Sequence, residues 1–288
     1  MASVRDLRDR IRSLNNTQQI TKAMKQVAAA KIRRAEMAQK QARPYAETLS
    51  EMLRELTSNL SNVDHPFMRP GSTDAPSGVI IMTADKGLAG AFNANIIRQA
   101  ESYRRERQSV LWYTVGLKGR NAARRMGDCQ ASWALSSESK LETARQVAAR
   151  VTADFVERKI SDIALVSSKL VSMMSQKPQV TKIVPITAAE AGSADDTSSS
   201  PKGAVEFAPS PEAVLSRLLP VYLEFTLYSA MLETDAAFFA AQLVAMNNAT
   251  DNAKKLIDDL TVEMNNARQA AITKEILEIV GGAEALTG

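Results

Sequence analysis

Two heptad repeats, one at each end of the chain, constrain its fold more than any other feature. In the first sixty or so residues, one row reads Val4, Ile11, Gln18, Lys25, Ile32, Gln39, Ala46, Leu53. The other reads Leu7, Leu14, Thr21, Ala28, Ala35, Ala42, Leu49, Leu56. A period of 3.5 residues lays a seam along one helix face and winds that helix around a partner. The second repeat runs Leu215, Leu218, Tyr222, Phe225, Ser229, Leu232, Ala236, Phe239, Leu243, Met246, Thr250, Ala253, Ile257, Leu260, Met264, Ala267, Ala271, and only Ser229 and Thr250 are polar. The pattern predicts helices over about 3–60 and 212–283, reaching about 85 and 105 Å at 1.5 Å per residue. Two such helices at opposite ends of one chain pair most simply as an antiparallel coiled coil, with Leu7 and Leu14 beside residues 257–271. Pro44 removes an amide donor and is expected to bend or weaken the first helix. Gly281-Gly282 is expected to end the second.

The middle of the chain has a different texture. Short apolar runs at 78–84, 109–116, 129–135, 162–171 and 179–186 read as strands, and stretches at 91–107, 117–126 and 139–159 read as helices. Strands alternating with helices indicate βαβ units and a mainly parallel sheet. Residues 172–178 are too few for a helical crossover, so the last two strands are expected to form a hairpin. The small, polar stretch 188–204 reads as a flexible linker. The resulting organisation is an N-terminal coiled-coil helix (1–60), a central α/β domain (75–190), a linker (191–204) and a C-terminal coiled-coil helix (205–288).

Charge is unevenly placed. Residues 1–60 carry +6, residues 61–204 +5 and residues 205–288 −7, within a net +4. The basic N-terminal arm suits nucleic acid, an acidic membrane surface, or simply the acidic C-terminal helix of the same chain. Against nucleic acid, residues 1–44 contain no aromatic side chain for base stacking. Aromatic residues make up only 5% of the chain, a composition that favours helices over an all-β fold. A single cysteine, Cys129, excludes a disulfide framework, and a single histidine, His65, excludes the common zinc sites. No apolar run is long enough to cross a bilayer and the N-terminus lacks a signal-peptide core, so a soluble protein of a reducing compartment is expected.

Catalytic chemistry is hard to assemble from these residues. A GxxxxGK[ST] phosphate loop is missing. The glycine-rich DKGLAGAFNAN (85–95) follows the first strand. Gly87 and Gly90 there either let amides face an anion or shape a tight strand-to-helix turn with no ligand. A dinucleotide-binding enzyme would need GxGxxG and an acidic partner, which this stretch lacks. His65 reads as a cap residue, Cys129 as strand packing, and Arg104, Arg105 and Arg107 as a solvated helix face. No nucleophile, base and orienting group come together, and no cofactor or metal site is expected.

Five blocks carry a family resemblance. LRDRIRSLNNTQQITKAMKQVAAAKIRRA (7–35), TADKGLAGAFN (83–93), SKLVSMMSQKPQV (168–180), LVAMNNATDNA (243–253) and NNARQAAITKEILEIVGGAEAL (265–286) resemble, in this order, the motifs of the gamma subunit of F-type ATP synthases. The resemblance implies an antiparallel two-helix coiled coil with an inserted Rossmann-like α/β domain. It also implies the work of a central, non-catalytic rotor shaft, coupling ion flow through the membrane c-ring to ATP synthesis or hydrolysis on the alpha-beta hexamer. Its partners would be the alpha, beta and epsilon subunits and the c-ring, with no nucleic acid. Its place would be peripheral, on the cytoplasmic face of a bacterial cell membrane.

Residue by residue, Met24 and Lys25 would face the moving helix–turn–helix of a beta subunit. Arg268, Gln269 and Thr273 would face the catch loops of alpha and beta, and Glu206 and Phe207 would lie by the polar loops of the c-ring. Phe238, Phe239 and Gln242 stand where the family usually has an acidic-plus-polar pair and an arginine. Asn266 stands where a basic residue is usual. These departures also fit the gamma-like subunit of a divergent second ATPase complex, driven by protons or sodium. A free-standing coiled-coil nucleic-acid binder is the remaining alternative.

Overall fold

The computed structural model describes residues 3–59, 66–68, 71, 75–136, 139–186 and 211–287. Residues 187–210, which hold the expected linker and the pair Glu206 and Phe207, lie outside the described residues, as does His65. The element order is α1 (Val4–Asn59), β1 (Ser77–Met82), α2 (Phe92–Arg105), β2 (Val110–Val115), α3 (Leu117–Met126), β3 (Cys129–Trp133), α4 (Lys140–Val156), β4 (Ile163–Ser172), β5 (Ser175–Val184) and α5 (Pro211–Thr287). Two compact units divide it: Met1–Ala29 with Gln242–Gly288, and Ala30–Ala241.

In the first unit, the start of α1 packs antiparallel on the last part of α5. Thr21 Oγ1 lies 2.8 Å from Thr250 Oγ1, and Lys25 Nζ donates to Asn247 Oδ1. Partner numbers therefore add to 271 or 272, which sets Leu14 opposite Ile257 and Leu7 opposite Met264, inside the expected stretch. Leu7 and Ala28 are buried, and Val4, Ile11, Leu14 and Gln18 are half-buried. The polar seam positions Thr21 and Thr250 meet each other, and each is also within hydrogen-bond reach of a carbonyl of its own helix. A hydroxyl pair in a mainly apolar seam is matched only in one register, so it specifies alignment at some cost in stability.

The seam differs from the heptad in two places. Lys25 is exposed, and Met24 is the half-buried side chain of that turn, because the strongly hydrated ammonium stays in water when a methionine one residue away can fill the space. Ala271 is exposed, because α1 begins at Val4, whose partner in this register is Ala267, and nothing of α1 remains to cover Ala271. Nor does Gly281-Gly282 end α5, which continues to Thr287. A glycine permits the left-handed cap conformation without imposing it, and each costs an exposed helix only about 1 kcal/mol relative to alanine.

The second unit is built on a five-stranded sheet in the order β3-β2-β1-β4-β5. β1 pairs parallel with β2 and β4, β2 pairs parallel with β3, and β4 and β5 are antiparallel. Central β1 is buried along its whole length, as a strand covered on both faces must be. One face carries Val79, Ile81, Trp112, Ala164 and Val166 under α2, α3 and residues Ala237, Phe238 and Ala241 of α5. The other carries Ile80, Met82, Tyr113, Val115 and Leu165 under α4, with Leu49 and Leu53 of α1 and a row from Leu215 to Met231 of α5. The alternation of 79/81 against 80/82 is the period-2 signature of a strand.

Helix pairing within this unit is antiparallel too. Tyr45 stacks edge-on against Phe225 at 4.7 Å, and Lys31 Nζ lies 4.9 Å from the centre of the Phe239 ring. Pro44 does not interrupt α1, and Thr48 Oγ1 donates to its carbonyl at 3.0 Å. The β4–β5 connection is tighter than the sequence suggests. Pairing reaches Ser172–Ser175, so only Met173 and Met174 turn the chain. Pro178 sits inside β5, opposite Ser168. β5 is an edge strand, where a missing N–H can face the open side of the sheet.

Candidate functional site

In a doubly wound sheet, ligands bind outside the carboxyl ends of the parallel strands. Here that place is filled by the chain itself. Asp85 follows β1 and accepts three backbone N–H bonds: from Leu117 at 2.9 Å, Leu135 at 3.3 Å and Ser136 at 2.7 Å. It thereby ties together the loops after β1, β2 and β3. Burial pushes its carboxyl upward, but the bonds from Ser136, Leu117 and Leu135 together outweigh burial and hold it below the usual 3.8. Its carboxylate is the anion at the start of α3, the position a bound phosphate would otherwise take.

The glycine-rich loop is closed by its own groups as well. Ala84 N donates to Asn93 Oδ1 at 3.0 Å, Asn93 Nδ2 donates to Lys86 O at 3.2 Å, and Gly119 N donates to Thr83 Oγ1 at 2.7 Å. Leu88 and Gly90 both have positive φ, +62° and +57°, the reversal that turns β1 into α2. At Gly116 (φ +99°) a Cβ would lie 2.0 Å from Thr83 O, so only glycine allows β2 to end there. Of the two readings open for this loop, the geometry favours the plain turn.

The remaining buried charges of this unit are structural. Tyr113 Oη donates to Asp154 Oδ2 at 2.7 Å. Burial raises Asp154, yet Tyr113, Arg150 and Lys159 together bring it below its ordinary value. Lys140 Nζ pairs with Asp235 at 3.1 Å, and Glu233 Oε1 accepts from Leu170 N at 3.4 Å. Both α5 carboxyls are raised, chiefly by burial. Phe238 and Phe239 have clear packing roles: Phe238 meets Phe92 at 5.8 Å and Phe239 receives Lys31. Cys129 is half-buried in an edge strand, and Arg107 stacks on Tyr103 at 3.3 Å while Arg104 and Arg105 are exposed.

The other site candidates lie on the paired helices of the first unit. Met24 and Gln242 are half-buried, and Lys25, Arg268, Gln269 and Thr273 are exposed. Thr273 Oγ1 is turned back to Gln269 O at 3.0 Å. Arg268, Gln269 and Thr273 fall on one short outward stretch, while Met24 and Lys25 belong to the turn around the Asn247 contact. Sequence reasoning missed an apolar surface here. Beyond the last α1 partner, residues 268–283 are exposed, and they include Ile272, Ile276, Leu277, Ile279 and Val280, with Ile279 at 71% exposure. Ile20 and Val27, either side of Met24, are also exposed. Register arithmetic was the available signal: a first helix starting at residue 4 cannot cover a second one beyond about 267.

Comparison with known proteins completes the picture. The family described as ATP synthase matches residues 3–286. The chain is 43% identical to the ATP synthase gamma chain of Heliobacterium modesticaldum, covering 99% of this chain and 100% of that one. It is equally identical to that of Desulforamulus reducens, with the same coverage. Among solved structures, a chain of the Euglena gracilis mitochondrial ATP synthase (OSCP/F1/c-ring, rotational state 3) shares the fold with a TM-score of 0.68. There the identity is 19%, over 98% of this chain and 94% of that one. End-to-end coverage by relatives at 43% identity decides the family: this chain belongs to the ATP synthase gamma chains.

Proposed function

We propose that the chain is the non-catalytic central rotor shaft of an F-type ATP synthase, coupling ion flow through a membrane c-ring to ATP synthesis or hydrolysis on an alpha-beta hexamer. The observation that carries the reading is the full-length identity to ATP synthase gamma chains, joined to two helices that each run unbroken, Val4–Asn59 and Pro211–Thr287. A rotor must transmit torque, and a helix braced by continuous i→i−4 hydrogen bonds and a packed seam resists twisting.

It must also present different faces to surrounding sites. Met24, Lys25, Gln242, Arg268, Gln269 and Thr273 are assigned to the alpha-beta head. The uncovered apolar end of α5, with Ile272, Ile276 and Leu277, supports that assignment, since apolar surface of this kind marks an interaction site. Glu206 and Phe207 are assigned to the c-ring and epsilon. At the strand ends of the α/β unit, Asp85 takes the place a ligand would fill. Among the described residues no helix is long and apolar enough to cross a membrane, and attachment to the cytoplasmic face of a bacterial cell membrane runs through the complex. Purification of the tagged chain from detergent-solubilised membranes tests this. Alpha, beta, epsilon and c subunits, identified by mass, are expected to come with it; recovery of the chain alone or with nucleic acid would overturn the reading.

A further inference from the structure

Residues 92–126 hold eight Lys/Arg and two Asp/Glu, an excess of six in a chain whose total is +4. Helix α3 contains four of these cations, Lys118, Arg120, Arg124 and Arg125, and no acid. The contrast with α4 is sharp: Lys140, Arg145 and Arg150 each pair with a carboxylate. No such pair is formed by Lys118, Arg124 or Arg125 among the described residues, and all three are exposed. The helix dipole accounts for Arg124 and Arg125 in the last turn but works against Lys118 in the first. Arg120 and Arg124 repel each other at i,i+4. Fold stability therefore does not account for this set of charges.

The geometry gives three of them, Lys118, Arg124 and Arg125, a common target. Stripes on α2 (Asn93, Ala94, Ile97) and α3 (Lys118, Asn121, Arg124, Arg125) enclose an open cleft of about 600 Å³. One ammonium, two forked guanidiniums and an amide line one wall, the donor set that holds a multiply charged oxyanion. The volume lies within the range of small-molecule sites and is roomy for a single phosphate. We propose that the α2–α3 cleft binds an anion carrying two or more phosphate groups. Asp85 is not part of it, the glycine-rich stretch 85–95 contributes only Asn93 and Ala94, and the rotor assignment does not enter.

The test is calorimetric titration of the full chain with inorganic tripolyphosphate, beside flotation with vesicles of cardiolipin, which carries two phosphates, or of phosphatidylcholine. Saturable binding of tripolyphosphate that weakens with added salt is expected. Combining Lys118→Gln, Arg124→Gln and Arg125→Gln should weaken it by about tenfold or more, from three lost charge contacts. A control with Arg8→Gln, Arg10→Gln and Arg12→Gln removes as much charge from exposed sites in α1 and should change binding less than about twofold. Both variants should keep the parent melting transition, since every altered side chain is exposed. Flotation only with cardiolipin, lost in the α3 variant, assigns the phosphates to lipid headgroups. Tripolyphosphate binding without flotation assigns them to a free anion. Neither binding event, or equal losses in the two variants, would overturn the proposal.

Discussion

Replacing Asp85 by asparagine removes the charge on which three loops converge while keeping the size of the side chain. The carboxylate accepts from Leu117 N, Leu135 N and Ser136 N at 2.7–3.3 Å. Asparagine offers one oxygen and sets an amide NH2 against donors. Bonds to a charged acceptor contribute about 1.5–3 kcal/mol each. Leu117 and Ser136 are exposed, so water replaces part of their loss, whereas Leu135 is buried. The sum expected for Asp85→Asn is a destabilisation of about 2–3 kcal/mol at pH 7. Trp112 and Trp133 are the two tryptophans of the chain, and both sit in the sheet. Urea unfolding followed by their fluorescence therefore reports this unit. A folded-state pKa below 3.8 means that the unfolded chain takes up the proton first. The stabilisation is then complete above about pH 4 and is lost as pH falls through the folded value. The gap between parent and variant should be constant from pH 7 to 5 and narrow on further acidification. A variant within about 0.5 kcal/mol of the parent at pH 7, or a gap that grows in acid, would refute the three-loop tie.

Three further outcomes are expected. Tyr113→Phe leaves Asp154 short of a buried donor and should cost about 1–3 kcal/mol in the same assay; in the parent the Tyr113 phenol is raised above its usual 10 first by burial and then by Asp154, and the variant should lose a late-ionising phenol on alkaline titration at 295 nm. With Cys129→Ser as background, cysteines at Leu14 and Ile257 should form a disulfide on mild oxidation, while cysteines at Leu14 and Met246 should not, because only the first pair adds to 271; the reverse result would displace the register. In the assembled enzyme, Arg268→Ala should lower coupled ATP synthesis with assembly intact, and Gln242→Arg should restore it if the two positions serve one electrostatic contact; unchanged turnover in all variants would remove Arg268 from the head contact.

Periodicity made the helices and the sheet legible. The 3.5-residue seam located both long helices within a few residues, since every seam position from Leu215 to Ala267 is buried or half-buried. Short apolar runs set between helical stretches located the five strands. What stayed hidden depended on partners distant in sequence. Lys25 and Met24 compete for one seam place, and only the facing helix decides between them. Ala271 fits the heptad but has no α1 residue opposite. Pro178 reads as a strand breaker until β5 is known to be an edge. Asp85 stands at the head of a glycine loop, and nothing local tells that Leu117, Leu135 and Ser136 bring their amides to it. The apolar end of α5 was hidden for the same reason: exposure of Ile276 or Leu277 follows from where the other helix stops, not from its own pattern.

The proposed rotor turns inside a ring of catalytic subunits. Met174, at the β4–β5 turn, is 83% exposed and offers a handle: with Cys129→Ser and Met174→Cys, a bead can be attached through the new thiol while the alpha-beta head is fixed to a surface. Single-molecule observation under ATP should show the bead rotating in one direction, and stopping when the Leu14–Ile257 region is crosslinked to a beta subunit. A complex that contains this chain and hydrolyses ATP at its full rate while the bead stays still would rule out rotation of this chain as the coupling motion.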